Sequence, residues 1–541
     1  MTTPAEPALP KRQRAPLGGA AVVGLSILAS RVLGIVRETL RAHYLGATIG
    51  IVGDAWTMAI RIPNLLQNLL GEGVLSASFI PVYARLLAEG DEEEAGRLAG
   101  TMAALLAATM VVLVALGVIF APEIVHLIAS TFTGEKFELT VTLTRILFPG
   151  AALFVMGAWC IGVLTSHRRM AMAYLAPVFW NLAMIAAFLW FGRKLDVISL
   201  AKTVAWASVA GAALQVGFQL PAVLKSAKRL KLSLDHRRES VRRVLRNFGP
   251  VALSRGAVQI SQFIDLWIAN LLPQGAPALL MTAQTVSMLP ISLFGMAVSA
   301  AELPEMSSVL GSPEERLAKL RQRIVAGARR IAFFVIPSAI AFVAFGDVII
   351  RVLFEGGRFK PIDTVFTWAI LAGSAFGLLA TTLARLYSSA YYAMHDTKRP
   401  FRIALIRISL SIVLGYLAAR PLTNALGIDR LWGTAALTVA AGVAGWVEFA
   451  LLRRGLRATM GDVSVPGGYA IRLWALGVGA ALVALGVQML TDRWVDLSHP
   501  RLDSLVVAIA VLGAFGVIYL AGATILRIPE SDAITRRLLR R

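Results

Sequence analysis

The chain has 541 residues, of which 57% are hydrophobic and 16% charged, and its formal net charge is +21. Ordinary soluble domains contain about 45–50% apolar and about 25% charged residues, so this composition excludes that class. The basic residues lie mostly in alternate loops between apolar segments, so membrane orientation explains the charge and no nucleic-acid partner is expected. The single cysteine, Cys160, excludes an intrachain disulfide and a cysteine-built metal site.

Apolar segments long enough to cross a bilayer as helices follow one another along the whole chain. They predict an all-α polytopic membrane protein with about 14 transmembrane helices. The predicted spans are 18–46, 51–87, 98–121, 141–165, 172–192, 198–224, 247–272, 279–303, 330–353, 362–391, 401–419, 431–452, 470–490 and 503–526.

The distribution of Lys and Arg predicts the orientation of these helices. The most basic loop is KSAKRLKLSLDHRRESVRRVLR at 225–246, whereas loops on the opposite side, such as PQGAPA at 273–278, are short and nearly uncharged. The positive-inside rule therefore predicts that both termini are cytoplasmic. Residues 1–17 lack the apolar core of a signal peptide, so we expect a disordered cytoplasmic tail.

A weak internal repeat suggests two similar halves. Ser30–Arg31 precedes SASFIP, which ends at Pro81, and Ser254–Arg255 precedes SAAELP, which ends at Pro304. The repeat predicts two parallel six-helix lobes about an axis along the membrane normal, followed by two C-terminal helices. Transporters commonly place their substrate site at such a repeat interface. The predicted division is a tail at 1–17, an N-lobe at 18–224, a basic linker at 225–246, a C-lobe at 247–452, two further helices at 453–526 and a basic cytoplasmic tail at 527–541.

The first two spans are unusually rich in charged residues. A charge near the bilayer centre costs about 2.5–3.5 kcal/mol on insertion scales, so such residues are expected to face one another or a wet cavity. Arginine suits the recognition of phosphate because its planar guanidinium matches paired oxygens. The residues concerned are Arg31, Arg37, Glu38, Arg41, Asp54, Arg61 and Glu72.

The seventh span carries a polar stripe. Helical spacing places Arg255, Gln259 and Gln262 on one face, with Asp265 at its edge. Two interpretations stay open: the charges neutralise partners on neighbouring helices, or the stripe lines a cavity that holds an anionic group near Arg255 and a coupling ion, Na⁺ or H⁺, at Asp265. Arg385, inside the tenth span, is a further cavity candidate.

An enzymatic function is not expected. The sequence contains no zinc-protease spacing, phosphate-binding glycine loop or nucleophile elbow. The charged groups inside the spans are chiefly cations, which bind anions and seldom act as bases. No cofactor is expected apart from the coupling ion.

Several motifs resemble the MurJ (MviN) lipid II flippase family of the multidrug/oligosaccharidyl-lipid/polysaccharide exporter superfamily. They are SRVLGIVRE, DAWTMAIRIPNLLQNLLGEGVLSASFIPVYARLL, LAPVFWN (175–181), LFEGGRF (353–359) and YYAMHDTKRPFRIA (391–404). The resemblance implies fourteen helices in two pseudosymmetric lobes, with a central cationic cavity that opens alternately to each side of the bacterial inner membrane. The implied substrate is lipid II, undecaprenyl-pyrophosphoryl disaccharide-pentapeptide, carried outwards for peptidoglycan synthesis. The last two helices would form a groove for the lipid tail. The resemblance also implies membrane lipids and other cell-wall synthesis proteins as partners.

The resemblance also assigns residues. Arg31 and Arg37 match first-helix arginines linked to headgroup binding, Asp54 and Glu72 match acidic positions of the same block, and Arg385 matches a basic position in the tenth helix. Together with Arg255, Gln259, Gln262 and Glu38 they form the expected substrate site. Gly34, Pro63, Gly71 and Pro290 are expected to allow the helices to bend.

The sequence departs from the family at three positions. Gln67 and Asn68 stand where many members have an arginine pair, and Thr285 stands where an eighth-helix arginine is expected. Arg255 partly compensates for the missing charges. The departures leave two alternatives open: an exporter of another polyprenyl-linked glycan or an amphiphilic drug, and a non-transporting scaffold of cell-wall synthesis.

Overall fold

The computed structural model describes residues 17–296, 298–299, 302, 306, 312–394, 396–494 and 500–531. The regular structure in this part of the chain is helical, apart from one isolated bridge between Gly356 and Phe359. The helices are α1 Leu17–Leu45, α2 Val52–Leu70, α3 Glu72–Ser78, α4 Ile80–Ala88, α5 Glu92–Ile119, α6 Ala121–Ile128, α7 Gly134–Ser166, α8 Met170–Phe191, α9 Val197–Ser226, α10 Glu239–Asn270, α11 Ala276–Pro290, α12 Pro313–Phe354, α13 Pro361–Ala393, α14 Lys398–Leu417, α15 Gly433–Met460, α16 Gly467–Trp494 and α17 Pro500–Ile525.

These helices confirm the predicted fold class. Among the described residues, twelve helical segments are long and apolar enough to cross a membrane. The first and seventh predicted spans, α1 and α10, are not among the twelve, although both helices are present where the sequence predicts them. These two spans carry the charged and polar residues described above, and each such residue lowers the mean hydropathy of its helix.

The second predicted span is divided into three helices. Helix α2 ends at Leu70 and α3 begins at Glu72, because the Gly71 backbone leaves the helical region (φ −90°, ψ −148°). A Cβ at Gly71 would lie 2.2 Å from the carbonyl oxygen of Gln67, so only glycine fits this break. Helix α4 follows after Phe79 and has Pro81 near its start. The predicted bend at Gly71 therefore coincides with a real interruption of the helix.

The N-lobe is built around α7, which packs against α2, α5 and α9, while α8 packs against α1 and α9. Its predicted cytoplasmic half has a core of aromatic and aliphatic side chains that includes Phe79, Tyr83 and Trp159. The indole of Trp159 donates to the Ala99 carbonyl at 3.1 Å, which fixes α7 against α5.

The C-lobe is built around α13, which packs against α11, α12 and α15. Gly377 of α13 and Gly442 of α15 allow these two helices to touch, since a Cβ on Gly377 would lie 2.5 Å from the Cα of Gly442. Helices α16 and α17 pack together and against α12. Tyr519 of α17 donates to the Phe333 carbonyl of α12 at 2.8 Å, so the last two helices attach to the C-lobe through α12.

Helix α10 belongs to both lobes. It begins at Glu239, so the last residues of the predicted linker 225–246 form its first turns. Val241 and Val244 lie in the N-lobe core, whereas Ile268 near the other end lies in the C-lobe core. The domain division itself stays a prediction, but the described helix crosses its boundary.

Candidate binding site at the lobe interface

The two lobes are joined at the ends of the helices that the sequence places on the outer side. Asp54 at the start of α2 is fully buried and accepts three hydrogen bonds. The donors are Lys136 Nζ at 2.7 Å and the backbone N–H groups of Gly275 and Ala278 at 2.8 and 3.2 Å. A carboxylate at the N-terminus of α11 is favourably placed in the field of the helix dipole. Asp54 therefore holds α11 of the C-lobe against α2 and α7 of the N-lobe.

Loop contacts extend this outer seam. Thr48 donates to the carboxylate of Asp363, and the Gln274 side chain donates to the Gly50 carbonyl at 2.9 Å. The N–H of Arg358, within the LFEGGRF motif, donates to the His43 carbonyl at 2.8 Å. These bonds all join the N-lobe to the C-lobe, so the predicted outer side of the interface is closed.

A buried ionic cluster lies next to the seam. Glu38 on α1 accepts from Arg37 Nη2 at 2.8 Å and from Arg41 Nε at 2.7 Å. Arg41 also donates through Nη2 to Thr282 of α11 at 2.7 Å. Glu38 thus neutralises part of the charge of both Arg37 and Arg41.

Arg37 is held by the LAPVFWN motif of α8. Its Nη1 donates to the Asn181 side chain at 3.1 Å, and its guanidinium lies 4.3 Å from the centre of the Trp180 ring. A cation over an indole face gains electrostatic energy, especially where water is excluded. The two residues fix the direction of Arg37, and the Arg37 side chain is 14% exposed.

Three polar contacts bridge the lobes nearer the middle of the spans. Arg31 Nη1 donates to Ser292 at 2.9 Å, and Arg61 Nη2 donates to Gln284 at 2.9 Å. Asn68 donates to Gln259 of α10 at 3.0 Å. Arg31 is exposed, so its guanidinium can reach a ligand without breaking a buried core.

The C-lobe contributes its own charges. Arg407 of α14 pairs with Glu448 of α15 at 3.3 Å, and the exposed Arg385 of α13 lies within electrostatic range of both. Asp265 of α10 lies within range of Arg407 and of Arg61 from the N-lobe. Arg407 was not predicted as a site residue, although it lies inside a predicted span, which was the signal that singled out the other arginines.

Guanidinium groups outnumber carboxylates in this region of the described structure. The cations are Arg31, Arg37, Arg41, Arg61, Arg385 and Arg407, and the carboxylates are Glu38, Asp265 and Glu448. We call these nine residues the cationic seam. The excess positive charge in this partly desolvated interface attracts anions, and the guanidinium groups can bind paired phosphate oxygens.

Two cavities open in the N-lobe on the predicted inner side. The first, of about 720 Å³, lies against Gln67, Asn68, Glu72, Trp180 and Gln215. The second, of about 670 Å³, also contacts Glu72 and extends to Arg168 and Met170 in the predicted cytoplasmic loop. Both cavities contact Glu72, and Trp180, which lines the first, also contacts Arg37 of the cationic seam.

The remaining predicted residues have varied positions. Glu72 is exposed in the cavity wall, and Thr285 donates to the Met281 carbonyl of its own helix at 3.0 Å. Gly34 and Pro63 lie inside α1 and α2, and Pro290 ends α11, where a π-helical turn, Ile291–Met296, begins. The side chains of Arg255 and Gln262 lie outside the described residues. The binding and hinge roles of all these residues stay predictions.

Fold and site together define a two-lobed helical membrane protein of the transporter type. A solved structure titled "Lipid II flippase MurJ, inward closed conformation" is similar with a TM-score of 0.74 and 22% identity, covering 94% of this chain and 98% of that chain. An inward-facing MATE family transporter of the MOP superfamily is similar with a TM-score of 0.62 and 19% identity, over 81% and 98% of the two chains.

Sequence comparison identifies the family. The family model described as "Lipid II flippase MurJ" matches residues 41–502. A probable lipid II flippase MurJ of Rhizobium meliloti is 32% identical over 80% of this chain and 79% of the relative. The lipid II flippase MurJ of Burkholderia cenocepacia is 31% identical over 92% and 95% of the two chains. This chain belongs to the MurJ lipid II flippase family.

Proposed function

We propose that this protein is a transporter that moves lipid II from the cytoplasmic to the periplasmic leaflet of the bacterial inner membrane. The relatives named above are described as lipid II flippases. A charged headgroup cannot cross hydrocarbon unaided, so the transporter must supply a wet, cationic route with a flank open to lipid. The orientation proposed here has both termini in the cytoplasm, as the basic loops indicate.

One observation carries the proposal: arginines from both lobes converge on the cationic seam beside the inner-side cavities. Arg31 and Arg37 come from α1, whereas Arg385 and Arg407 come from α13 and α14. A pyrophosphate offers several oxygens in fixed geometry, and guanidinium groups bind such oxygens in pairs. Arg31 and Arg385 are the exposed members, so they are the first that an incoming headgroup would meet.

The contacts support alternating access with the present structure in the inward-facing state. The outer seam is closed by Asp54, Thr48 and Arg358, while the cavities reach the predicted cytoplasmic loop at Arg168. Export requires that the outer contacts break and that the inner side closes behind the headgroup. A membrane potential supplies about 2.3 kcal/mol per charge per 100 mV, comparable to the loss of one or two such contacts.

The coupling ion stays a proposal. Asp265 lies within electrostatic range of two arginines, Arg61 and Arg407. The described residues contain no group of three or more acidic, His or Cys side chains placed to hold a metal ion. We propose that substrate binding to these arginines frees Asp265 to take up the coupling ion, Na⁺ or H⁺.

Growth rescue tests the proposed function. The chain should restore growth to a bacterium depleted of its own flippase, and Arg31→Ala or Arg385→Ala should abolish that rescue. The matched control is Lys202→Gln, which removes an exposed cation of α9 outside the cationic seam. Failure of the unaltered, correctly inserted chain to rescue growth would reject lipid II as the substrate.

The altered cavity wall favours a second candidate. Gln67 and Asn68 line the larger cavity without charge, and Thr285 bonds to its own helix. Fewer cations would suit another polyprenyl-linked glycan or an amphiphilic drug. Competition for binding between lipid II and an undecaprenyl phosphate carrying a different sugar separates the two, because the primary proposal requires lipid II to bind more tightly.

A further inference from the structure

The segment between α9 and α10, residues 227–238, is fixed to the N-lobe. Two glycines of α5 admit its backbone: a Cβ on Gly96 would lie 2.3 Å from the Arg229 carbonyl oxygen, and one on Gly100 would lie 2.1 Å from that of Lys231. Ala227 and Leu230 belong to or pack against the N-lobe core. We call residues 227–238 the docked linker.

An ion pair secures the far end of the docked linker. Arg238 Nη1 bonds to Glu94 of α5 at 2.9 Å, and Ser240 at the start of α10 donates to the same carboxylate at 2.7 Å. A flexible linker would not need glycines on α5, because its backbone would not be held in contact with that helix. The docked linker therefore has one buried side.

The residues of α5 that contact the docked linker indicate how deep the linker lies in the membrane. Helix α5 begins at Glu92, and Gly100 lies eight residues further on, which is about 12 Å along the helix axis. The sequence places the hydrocarbon edge near residue 98. The docked linker therefore lies at the boundary between the hydrocarbon and the aqueous phase.

The side of the docked linker that faces away from α5 is apolar and basic. Leu232 and Leu234 are 72% and 60% exposed, and Leu224 at the end of α9 is 53% exposed. Exposed basic residues surround them, namely Lys225, Lys228, Arg229, Lys231 and Arg237. Exposed leucines among cations at a membrane boundary are the pattern by which interfacial segments bind anionic lipid.

We propose that the docked linker binds anionic phospholipids of the cytoplasmic leaflet, with Leu232 and Leu234 in the acyl-chain border and Lys228, Arg229 and Lys231 on the headgroups. This inference rests on the proposed orientation but not on the substrate. Since Val241 and Val244 of α10 pack in the N-lobe core, the lipid contact holds the N-lobe and the start of α10 as one body at the membrane surface.

A fluorescent reporter in the docked linker tests the proposal. Ser233→Cys, labelled with an environment-sensitive dye, lies between the two exposed leucines, and the native Cys160 is buried. In vesicles of phosphatidylglycerol the dye emission should shift to the blue and be quenched by a lipid-borne quencher. In phosphatidylcholine vesicles, or in high salt, most of that shift should be lost, because exposed charges are screened.

Two variants separate lipid binding from misfolding. Lys228→Gln/Arg229→Gln/Lys231→Gln should lose the difference between the two lipids, and Leu232→Ser/Leu234→Ser should lose quenching by the lipid-borne quencher. The control Arg453→Gln/Arg454→Gln/Arg457→Gln, in a C-lobe loop region, should keep both. Equal emission in the two lipids, quenching only from the aqueous side, or a shift caused by an added protein or RNA without anionic lipid would overturn the proposal. None of these readouts depends on flipping.

Discussion

Arg41 of α1 donates to Thr282 of α11 at 2.7 Å, at a point where the arginine is 1% exposed. Thr282 itself donates to the Ala278 carbonyl at 2.8 Å, and the Ala278 N–H donates to Asp54 at 3.2 Å. A continuous line of bonds thus runs from the closed outer seam through Thr282 to Arg41 and Glu38 of the cationic seam. Anything that rearranges the Arg41–Glu38 pair therefore changes a contact that closes the outer side.

Thr282→Val tests this line. The substitution keeps the shape of the side chain but removes the acceptor for Arg41, whose Nη1 already lacks a hydrogen-bond partner among the described residues. A buried charged donor left without its acceptor costs about 1–3 kcal/mol, so the outer seam should open more often. The measurement is thiol labelling of Ala47→Cys, a fully buried position in the loop after α1, in a chain that also carries Cys160→Ser; this labelling should become faster. Thr285→Val is the matched control, because Thr285 bonds to its own helix; an equal effect of both would refute the connection.

Asp54→Asn should weaken the outer seam more strongly. Asn keeps an oxygen for the N–H groups of α11 but loses the charge that Lys136 and the helix terminus favour. Leaving Lys136 without its partner in a buried site costs about 3–5 kcal/mol. The thermal midpoint of the purified protein should fall by several degrees.

A second substitution distinguishes the pair from general damage. Lys136→Met combined with Asp54→Asn should recover part of the loss, because the unpaired ammonium is gone. Strictly additive losses in the double variant would show that the two side chains do not interact as described.

Gly357→Ala should disturb the same seam from the C-lobe side. Gly357 has a φ of +61°, and a Cβ there would lie 2.4 Å from the His43 carbonyl oxygen. The left-handed conformation alone costs an alanine about 1–2 kcal/mol, and the contact adds to that cost. Gly90→Ala is the control, since Gly90 also has a positive φ of +79° but open space around it. Thermal unfolding should show the larger loss for Gly357→Ala, and equal losses would contradict the close contact.

His167 should make the inner end of the N-lobe sensitive to acid. Its Nε2 lies 2.9 Å from the Tyr83 hydroxyl. Burial of the ring, together with Arg169, lowers the pKa of His167 below its usual value of 6.5. The unfolded chain then binds the proton more readily than the folded one, so stability is full above about pH 6.5 and falls as the pH drops below that value.

Thermal unfolding between about pH 7.5 and about pH 5.5 measures this effect. His167→Gln should lose less stability over that interval than the unaltered chain, whereas His236→Gln, in the exposed part of the docked linker, should behave like the unaltered chain. If His167→Gln shows the same acid dependence as the unaltered chain, the buried neutral histidine is not its source.

Much of the fold could be predicted because apolar length alone specifies a membrane helix. Helices α1 and α10 were predicted in spite of their charges, since their polar residues occupy stripes rather than whole turns. A bend at Gly71 was predicted, but a complete end of α2 there was not, because a single glycine inside an apolar run does not require the helix to stop. The start of α10 at Glu239 was not predicted, because the first turns of the helix are as highly charged as the basic linker before them.

The site was predictable as a list of arginines but not as a set of pairs. Arg37 contacts Asn181 and Trp180, and Arg41 donates to Thr282. These partners are far apart in the sequence, so no local pattern predicts the contacts. Asp54 was predicted as a substrate residue, and the structure places it in the outer seam with its oxygens already bonded. Its substrate role stays untested.

The most direct test of the cationic seam is lipid II translocation in vesicles reconstituted with the purified protein. We expect the unaltered chain and Lys202→Gln to make lipid II of the starting leaflet accessible on the other side, and Arg31→Ala/Arg385→Ala to abolish that transfer while keeping its thermal midpoint. Unchanged translocation by the double variant would contradict a substrate site built from arginines of both lobes.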